Sequence, residues 1–336
     1  MNKYICLMLF LLFLVGCTKQ DIMEPSFSAK ENLDALWTTI DERYCFFDEK
    51  NINWDSVHTV YSRKLRNVET VFDLFKVMSD MLATLEDGHV NLYTPFAVSS
   101  CSAWYDDYPK DFSFDIVKES YLGDDYLSIN GLYYDTIDDV GYMYVSSFST
   151  TIASVTMQYV DYYFRNCKGV IIDVRNNGGG ELTAAEALAA CFFKDNTHVG
   201  YIRHKVGSGH NDFSSPEKIY VDPANKLIDW SERCVVVLTN RRSYSSTNDF
   251  VNMVSYADNV TIVGGKTGGG GGMPLSRDLP IGWMVRFSAV PSFNSEMQSI
   301  DGGIDPDEFV HITEENYDAK VDPIILRAME IIRKAE

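Results

Sequence analysis

Four serine and threonine side chains crowd into positions 243–247 of the segment LTNRRSYSSTNDF, residues 238–250, where an apolar run gives way to a helical pattern. They belong to Ser243, Ser245, Ser246 and Thr247. A serine between a buried strand and a helix lies beside unpaired backbone N–H groups, which suits an acyl-transfer nucleophile because a neighbouring N–H can hold the oxyanion. Serine and threonine are also preferred helix N-caps, and the segment taken alone favours simple capping.

A second stretch with chemical potential is DVRNNGGG, Asp173–Gly180, which follows another apolar run. Contiguous glycines allow backbone N–H groups to approach a ligand closely. No Gly-Lys-Ser/Thr follows, which excludes a Walker loop, and the unbroken run of glycines does not fit a dinucleotide fingerprint. The structural alternative is a tight turn from strand to helix.

The elements that must position these segments alternate between strand and helix. The apolar runs in KGVIIDVRNNGGG, CVVVLTN and VTIVGGKTGGGGG predict buried strands, and helical patterns at 181–193 and 246–258 lie between them. Such alternation predicts a parallel sheet covered on both faces. Residues 28–86 show helical periodicity instead and predict a bundle of about three helices. This bundle ends at EDGHVNLYTP, where Asp87-Gly88 favours a turn.

Several ordered blocks carry a resemblance to a known family. They are LEDGHVNL, GVIIDVRNNGGG, VVVLTNRRSYSSTNDF, VTIVGGKTGGG and GGIDPDEFV, and the last four lie between Lys168 and Val310. Together they resemble the tail-specific, or C-terminal processing, serine peptidases, which include tricorn-type enzymes. The resemblance implies an α/β fold with a ClpP/crotonase-like β-α-β spiral core and an N-terminal helical subdomain. We expect residues 28–92 to form that subdomain and residues 93–336 the peptidase core domain.

The resemblance also assigns the nucleophile. In this family the serine is followed by two residues and then an acidic one, and Ser246 has Asp249 at that offset. Ser246 is therefore the predicted nucleophile, with Ser245 as the alternative. The activity implied is hydrolysis of peptide bonds through an acyl-enzyme, so the expected partner is a polypeptide substrate.

Serine needs a general base, because its hydroxyl is unreactive at neutral pH. One branch of the family uses a lysine in the loop after the third strand, but Gly270 or Gly271 stands at that place and Lys266 lies too early. The tricorn-type branch uses a histidine in a DGH-like block, and His89 stands there. An imidazole has a suitable ordinary pKa of about 6.5. The other histidines lie outside matching blocks, and we interpret them as surface or structural residues.

The remaining site residues come from the resemblance and from the backbone argument. The N–H groups of Gly179 and Thr247 are expected to form the oxyanion hole. Asp301 is the predicted third member of the triad, with Glu296 and Asp305 as alternatives. The segment that separates the histidine block from the core is too short for the PDZ module that many relatives insert there, so we expect none.

The N-terminus predicts export and lipid attachment. Lys3 precedes the apolar run 5–15, which is too short to span a bilayer and typical of a signal peptide. The run ends in LVGC, which resembles a bacterial lipobox with Cys17 as the lipidated residue. We therefore expect a signal peptide at residues 1–16 and a tether at 17–27. The predicted location is the cell envelope, on the outer membrane and facing either the periplasm or the exterior.

Composition limits the other function classes. The chain of 336 residues has a formal net charge of −19, which repels nucleic acid and anionic lipid and leaves the lipid anchor as the expected membrane contact. The five cysteines beyond Cys17 are widely spaced and suggest neither a disulfide framework nor a zinc site. We expect no metal and no organic cofactor.

Two other functions fit the same sequence. The first is an inactive relative, a lipoprotein that binds peptides or cell-wall material in the same groove. The second is a crotonase-like acyl-CoA enzyme, because the core folds are related, although an export signal argues against a cytoplasmic cofactor such as CoA.

Overall fold

The computed structural model of the chain describes residues 28–335, and its first elements are the predicted N-terminal helices. They are α1 (Ala29–Arg43), α2 (Trp54–Lys64) and α3 (Val71–Ala83). The side chains of Ser28, Asn53 and Thr70 accept hydrogen bonds from first-turn N–H groups, which fixes where each helix begins. No helix in this described part of the chain is long and apolar enough to cross a membrane.

The later helices and strands include the predicted β-α-β succession, together with strands inside it and after it that the pattern did not predict. The helices are α4 (Phe114–Val117), α5 (Ser154–Tyr163), α6 (Leu182–Ala189), α7 (Ser246–Val254), α8 (Glu314–Asp318) and α9 (Pro323–Lys334). The strands are β1 (Asn91–Tyr93), β2 (Leu127–Ile129), β3 (Leu132–Ile137), β4 (Val140–Val145), β5 (Gly169–Asp173), β6 (Thr197–Ile202), β7 (Glu217–Val221), β8 (Cys234–Thr239), β9 (Val260–Gly264), β10 (Gly272–Asp278), β11 (Met284–Asn294) and β12 (Glu308–Phe309).

A seven-stranded sheet with the order β12-β9-β8-β5-β4-β3-β2 forms the core. The pairs from β4 through β5, β8 and β9 to β12 are parallel, and β3 and β2 add antiparallel strands at one edge. Side chains of the central strands alternate between two apolar clusters. Val170 and Ile172 lie in one, while Ile171 lies in the other with the face of α9. Both faces are thus covered, as the apolar runs predict.

The parallel register brings three loops to one edge of this sheet. Asp173 pairs with Leu238, and Thr239 pairs with Gly264, so β5, β8 and β9 end side by side. Hydrogen bonds then join the loops. The Tyr244 N–H donates to the Asn177 carbonyl at 3.1 Å, and the Gly268 N–H donates to the Ser243 carbonyl at 2.8 Å. The glycine loop and the serine segment are therefore neighbours.

The N-terminal helices pack against a second, antiparallel sheet with the order β1-β11-β6-β7, in which β10 also pairs with β11. Leu33, Leu36 and Met78 share a hydrophobic cluster with Val285 and Phe287. The α/β core and the N-terminal helices agree with the predicted fold class. The domain boundary at residue 92 stays a prediction, because β1 joins the helical region to a strand from late in the chain.

Candidate active site

Ser245 occupies a sharp turn between β8 and α7. Its φ of 60° and ψ of −128° lie in a region that residues with a side chain rarely adopt. The Ser245 N–H donates to the Gly269 carbonyl at 2.9 Å, and the Asp249 N–H donates to the Ser245 carbonyl at 3.1 Å. The surrounding loop and helix therefore hold the strained turn in place. Backbone strain of this kind is typical of functional sites, including nucleophiles on strand-to-helix turns.

His89 contacts this serine from the other side of the site. It lies in the loop between α3 and β1, and its Nε2 is 2.8 Å from the Ser245 Oγ. This distance is within the range of a hydrogen bond between a nucleophile and its base. The two groups are 156 positions apart in the chain. The structure thus brings the predicted histidine to the serine segment.

The serine that His89 contacts is Ser245, so the expectation that Ser246 faces the base is wrong in its geometry. Ser246 is the first residue of α7 and is only 3% exposed. Its hydroxyl makes no hydrogen bond to any described residue. One residue along a helix turns the side chain by about 100°, because a turn holds 3.6 residues. The spacing between the nucleophile and an acidic residue therefore selected Ser246, which lies one position after the serine that contacts His89.

A buried carboxylate that the sequence analysis did not assign holds the histidine loop. Asp87 Oδ1 accepts a hydrogen bond from the His89 backbone N–H at 2.8 Å and one from the Tyr244 hydroxyl at 3.3 Å. Asp87 Oδ2 accepts from Ser288 at 2.8 Å and from Tyr44 at 3.1 Å. Burial, and next the charge of Asp87, raise the pKa of both tyrosines well above the ordinary value, so they stay protonated donors.

The environment of His89 keeps its ring neutral. Burial lowers the pKa of His89 to about 4, against the opposing charge of Asp87 and with a further lowering effect of Arg286. The carbonyl of Gly272 favours the protonated ring to a small extent. Nδ1 is buried and makes no well-formed hydrogen bond to any described residue. A neutral imidazole with Nε2 against a serine can accept its proton at neutral pH.

Asp301 does not take the predicted third place in a triad. Its carboxylate lies 3.5 Å from Lys50 Nζ, in a neighbouring cavity of about 530 Å³, and neither a hydrogen bond nor an ion pair joins these two described residues, Asp301 and His89. Burial, and then the charge of Asp87, raise the pKa of Asp301 to about 7, with Lys50 opposing. The two alternatives also lie elsewhere, since Glu296 is exposed and Asp305 pairs with Lys266 at 3.3 Å.

The predicted oxyanion donors are already engaged. The Gly179 N–H donates to Asn177 Oδ1 at 2.9 Å, and the Thr247 N–H donates to the Tyr244 carbonyl at 3.2 Å. The donors that are free for an oxyanion lie one residue away in each loop. They are the N–H groups of Gly180 and Ser246. Neither of these has a hydrogen-bond acceptor among residues 28–335.

The glycine loop and the serine turn lie in close contact near Gly179. A methyl group built on Gly179 would lie 2.8 Å from the Tyr244 carbonyl oxygen and 3.0 Å from the Ser246 nitrogen. Gly179 and Gly180 have φ values of 96° and 145°, which favour glycine. The N–H of Phe148 donates to the Gly179 carbonyl at 3.0 Å and so anchors the loop. The glycine run is therefore needed for close approach to the serine turn.

The serine and histidine open onto a cavity of about 390 Å³. Gly180, Ser246 and Gly272 line it beside the pair. Most of the remaining wall is apolar and comes from Leu182, Val199, Ile202, Ile219, Met253, Met273, Pro274, Phe293 and Ile300. A mostly apolar cleft with a few convergent polar groups is typical of a substrate site.

Sequence reasoning gave Ser245 only as the alternative nucleophile and missed Asp87 and Gly180 as site residues, although all three lie within blocks that it singled out. A signal for Ser245 was available, because the residue just before a helix adopts a non-helical conformation while the next residue belongs to the first turn. Nothing in the sequence indicated the partners of Asp87, since Tyr44 and Ser288 lie far away in the chain.

Comparison with known proteins shows the family of the chain. Residues 139–310 match the profile of Peptidase family S41, just over half of the chain. Residues 27–83 match the profile of the Tricorn protease C1 domain. A putative peptidase from Parabacteroides merdae is 42% identical, with a TM-score of 0.85, and the match covers 91% of this chain and 97% of that one.

More distant relatives share the fold or part of the sequence. The mature protein CPAF aligns with a TM-score of 0.69 at 12% identity, over 91% of this chain and 98% of its own, which shows the fold alone. A probable CtpA-like serine protease of Staphylococcus saprophyticus is 23% identical over 55% of this chain and 36% of its own length. The chain thus spans about a third of the curated relatives that it matches.

Proposed function

Because this chain belongs to peptidase family S41, we propose that it is a serine endopeptidase that cleaves polypeptides through an acyl-enzyme on Ser245. The observation that carries the proposal is the 2.8 Å contact between His89 Nε2 and the Ser245 hydroxyl. A strained serine turn, a neutral buried imidazole and two unpaired N–H groups converge at one end of the same cavity.

The chemistry begins with the hydroxyl of Ser245. As its oxygen attacks the scissile carbonyl carbon, His89 Nε2 takes the hydroxyl proton, and the carbonyl oxygen becomes an oxyanion. The N–H groups of Gly180 and Ser246 donate to this oxyanion. Because they have no other acceptor among the described residues, they are free to do so without reorganisation.

Collapse of the tetrahedral intermediate breaks the C–N bond. Protonated His89 gives its proton to the leaving amine and is neutral again. It then takes a proton from water as the water attacks the ester carbonyl, and it returns that proton to the Ser245 oxygen when the acid is released. Proton and bond changes balance over the cycle, and no oxidant, metal or cofactor takes part in any step.

Asp87 contributes to this cycle by holding His89 in position. Its hydrogen bonds fix the His89 backbone and the Tyr244 hydroxyl, and the Tyr244 ring lies 4.9 Å from the imidazole ring, centroid to centroid. The buried Asp87 carboxylate is also the charge that favours protonated His89 within the site. We therefore assign Asp87 as a positioning residue in place of an aspartate on Nδ1.

We also propose that the protein is a lipoprotein of the cell envelope, attached through Cys17 to the outer membrane and facing the periplasm or the exterior. This part rests on the sequence of residues 1–17, which lie outside the described residues. Incorporation of an alkyne-labelled fatty acid into the wild-type protein tests it. Loss of the label in Cys17→Ala supports the anchor, and retention of the label contradicts it.

Single serine substitutions test the peptidase proposal. In casein hydrolysis we expect Ser245→Ala to lower kcat by about 10⁴-fold, because the nucleophile is lost, while Ser246→Ala stays within a few-fold of wild type. The Ser246→Ala variant keeps the backbone N–H that donates to the oxyanion and loses only the hydroxyl. Ser255→Ala is the matched control, since Ser255 is exposed at the end of α7 and does not line the cavity. An inactive wild-type protein would favour the peptide-binding relative, and turnover of a thioester without peptide hydrolysis would favour the acyl-CoA enzyme.

A further inference from the structure

One face of α7 forms a wall of the cavity beside Ser245. Ser246, Asp249 and Met253 follow one another at intervals of three and four residues, which places them on the same side of the helix, and all three line the cavity. Leu182 and Glu186 stand four residues apart on the facing helix α6 and line the cavity from there. With Glu181, which precedes α6, three carboxyl groups thus lie on the walls of the proposed substrate site.

The polar groups on these walls lack partners in the chain. The hydroxyl of Ser246 is buried and makes no hydrogen bond within residues 28–335. No hydrogen bond or ion pair joins the carboxyl group of Asp249 or of Glu186 to any residue in this part of the chain, and none of the residues that line the cavity is lysine or arginine. The buried aspartate Asp173 differs, since Arg175 pairs with it at 2.6 Å. Carboxyl groups without a partner in a cleft are available to a cation that enters from outside.

The other walls of the cavity indicate which kind of ligand would fit it. Its walls include the aliphatic side chains of Val199, Ile202 and Ile219, and its volume of about 390 Å³ is within the range of ligand sites. A long apolar stem would pack on these walls while a charged end reached the carboxyl groups. Lysine and arginine side chains combine such a stem with a cationic end.

We propose that Asp249, with Glu186 at the cavity mouth, makes this cavity a specificity pocket for a lysine or arginine side chain next to the scissile bond. The inference rests on the proposed peptidase function and adds the substrate class. Asp249 touches the substrate side chain, and Ser246 offers a further hydrogen-bond acceptor at the base of the same wall.

The electrostatics of the pocket agree with a cationic guest. Burial, and next the charge of Glu186, raise the pKa of Asp249 to about 7, and burial also raises the pKa of Glu186. An arriving cation favours the ionised carboxylate and so reverses this effect. A neutral side chain of the same shape leaves the carboxyl group without a partner, and we expect a discrimination on the order of 10- to 100-fold from one charged hydrogen bond.

Binding to the full-length Ser245→Ala protein tests the inference without turnover. The probes are fluorescent peptides that are identical except for one residue, which is arginine, its neutral isostere citrulline, lysine or norleucine, placed on either side of the scissile bond. We expect arginine to bind at least tenfold more tightly than citrulline at one of the two positions. The added change Asp249→Asn brings the ratio to about two or less, and Glu186→Gln lowers it in part.

Asp258→Asn is the matched control, because Asp258 is exposed just after α7 and does not line this cavity. It should leave the ratio unchanged. Equal binding of arginine and citrulline, or a ratio that survives both Asp249→Asn and Glu186→Gln, would overturn the pocket. If Asp249→Asn does not fold, the exposed Glu186→Gln variant still decides the question. Peptide hydrolysis by the wild type without cationic preference would overturn the pocket alone, whereas selective binding without hydrolysis would overturn only the peptidase proposal.

Discussion

The low pKa of His89 predicts an unusual dependence of activity on pH. Burial lowers this pKa to about 4, so the base is neutral well below the range in which an ordinary histidine becomes charged. At pH 5.5 a group of pKa 4 is about 97% neutral, whereas one of pKa 6.5 is about 9% neutral. We therefore expect kcat/KM at pH 5.5 to be within a factor of two of its value at pH 7. A solvated histidine would give a loss of roughly tenfold.

The assay has to separate catalysis from folding, because the same burial makes stability depend on pH. The unfolded chain binds a proton at His89 near pH 6.5, and the folded chain does so only near pH 4. Between these values the unfolded state holds more protons, so this residue makes the free energy of unfolding rise with pH, by about 3 kcal/mol over the full interval.

Initial rates should therefore be taken after jumps from pH 7 into buffers between pH 3.5 and 8, with activity recovered on return to pH 7 as the control. The expected profile of kcat/KM has its acidic inflection close to pH 4. An inflection near 6.5 with full recovery of activity would refute the argument that His89 is desolvated in the working enzyme.

Three substitutions follow from the contacts of the site. Asp87→Asn should lower kcat by about 10²-fold with little change in KM, since the amide cannot accept all four hydrogen bonds that orient His89. If the variant and the wild type have equal kcat in steady-state peptide hydrolysis, the positioning role is contradicted. Gly180→Ala should lower kcat by about 10²- to 10³-fold, because a methyl group there lies 2.3 Å from the Phe148 carbonyl carbon and displaces an oxyanion donor. A folded variant with full activity would show that the Gly180 N–H is not a donor to the oxyanion. Asp301→Asn should keep kcat within about threefold, as its carboxylate pairs with Lys50 and not with His89, whereas a loss near the 10⁴-fold typical of a triad aspartate would restore it as the third member.

Much of the core could be predicted from local pattern. The apolar runs of β5, β8 and β9 and the helices between them fix a parallel sheet, and parallel strands must end at one edge. That edge brings the glycine run to the serine segment. The family was recognised from these blocks, and the sequence matches and the structural neighbours confirm it.

The choice between Ser245 and Ser246 could not be made from spacing. It depends on the residue at which α7 begins and on one backbone angle, and helix boundaries read from sequence are uncertain by a few residues. The partners of His89 were hidden for another reason. Asp87 accepts hydrogen bonds from Tyr44, which follows α1, and from Ser288 in β11. Contacts between residues so far apart in the chain leave no periodic signal in the sequence.

Covalent labelling tests most directly whether the hydroxyl of Ser245 forms the acyl-enzyme. Labelling of the full-length protein with a fluorophosphonate, followed by tandem mass spectrometry of the peptide that contains residues 242–250, locates the adduct at a single serine. We predict the phosphonyl group on Ser245, with labelling abolished in His89→Ala and retained in Ser246→Ala. An adduct on Ser246 or Ser243, or no adduct in an enzyme that hydrolyses peptides, would contradict the account.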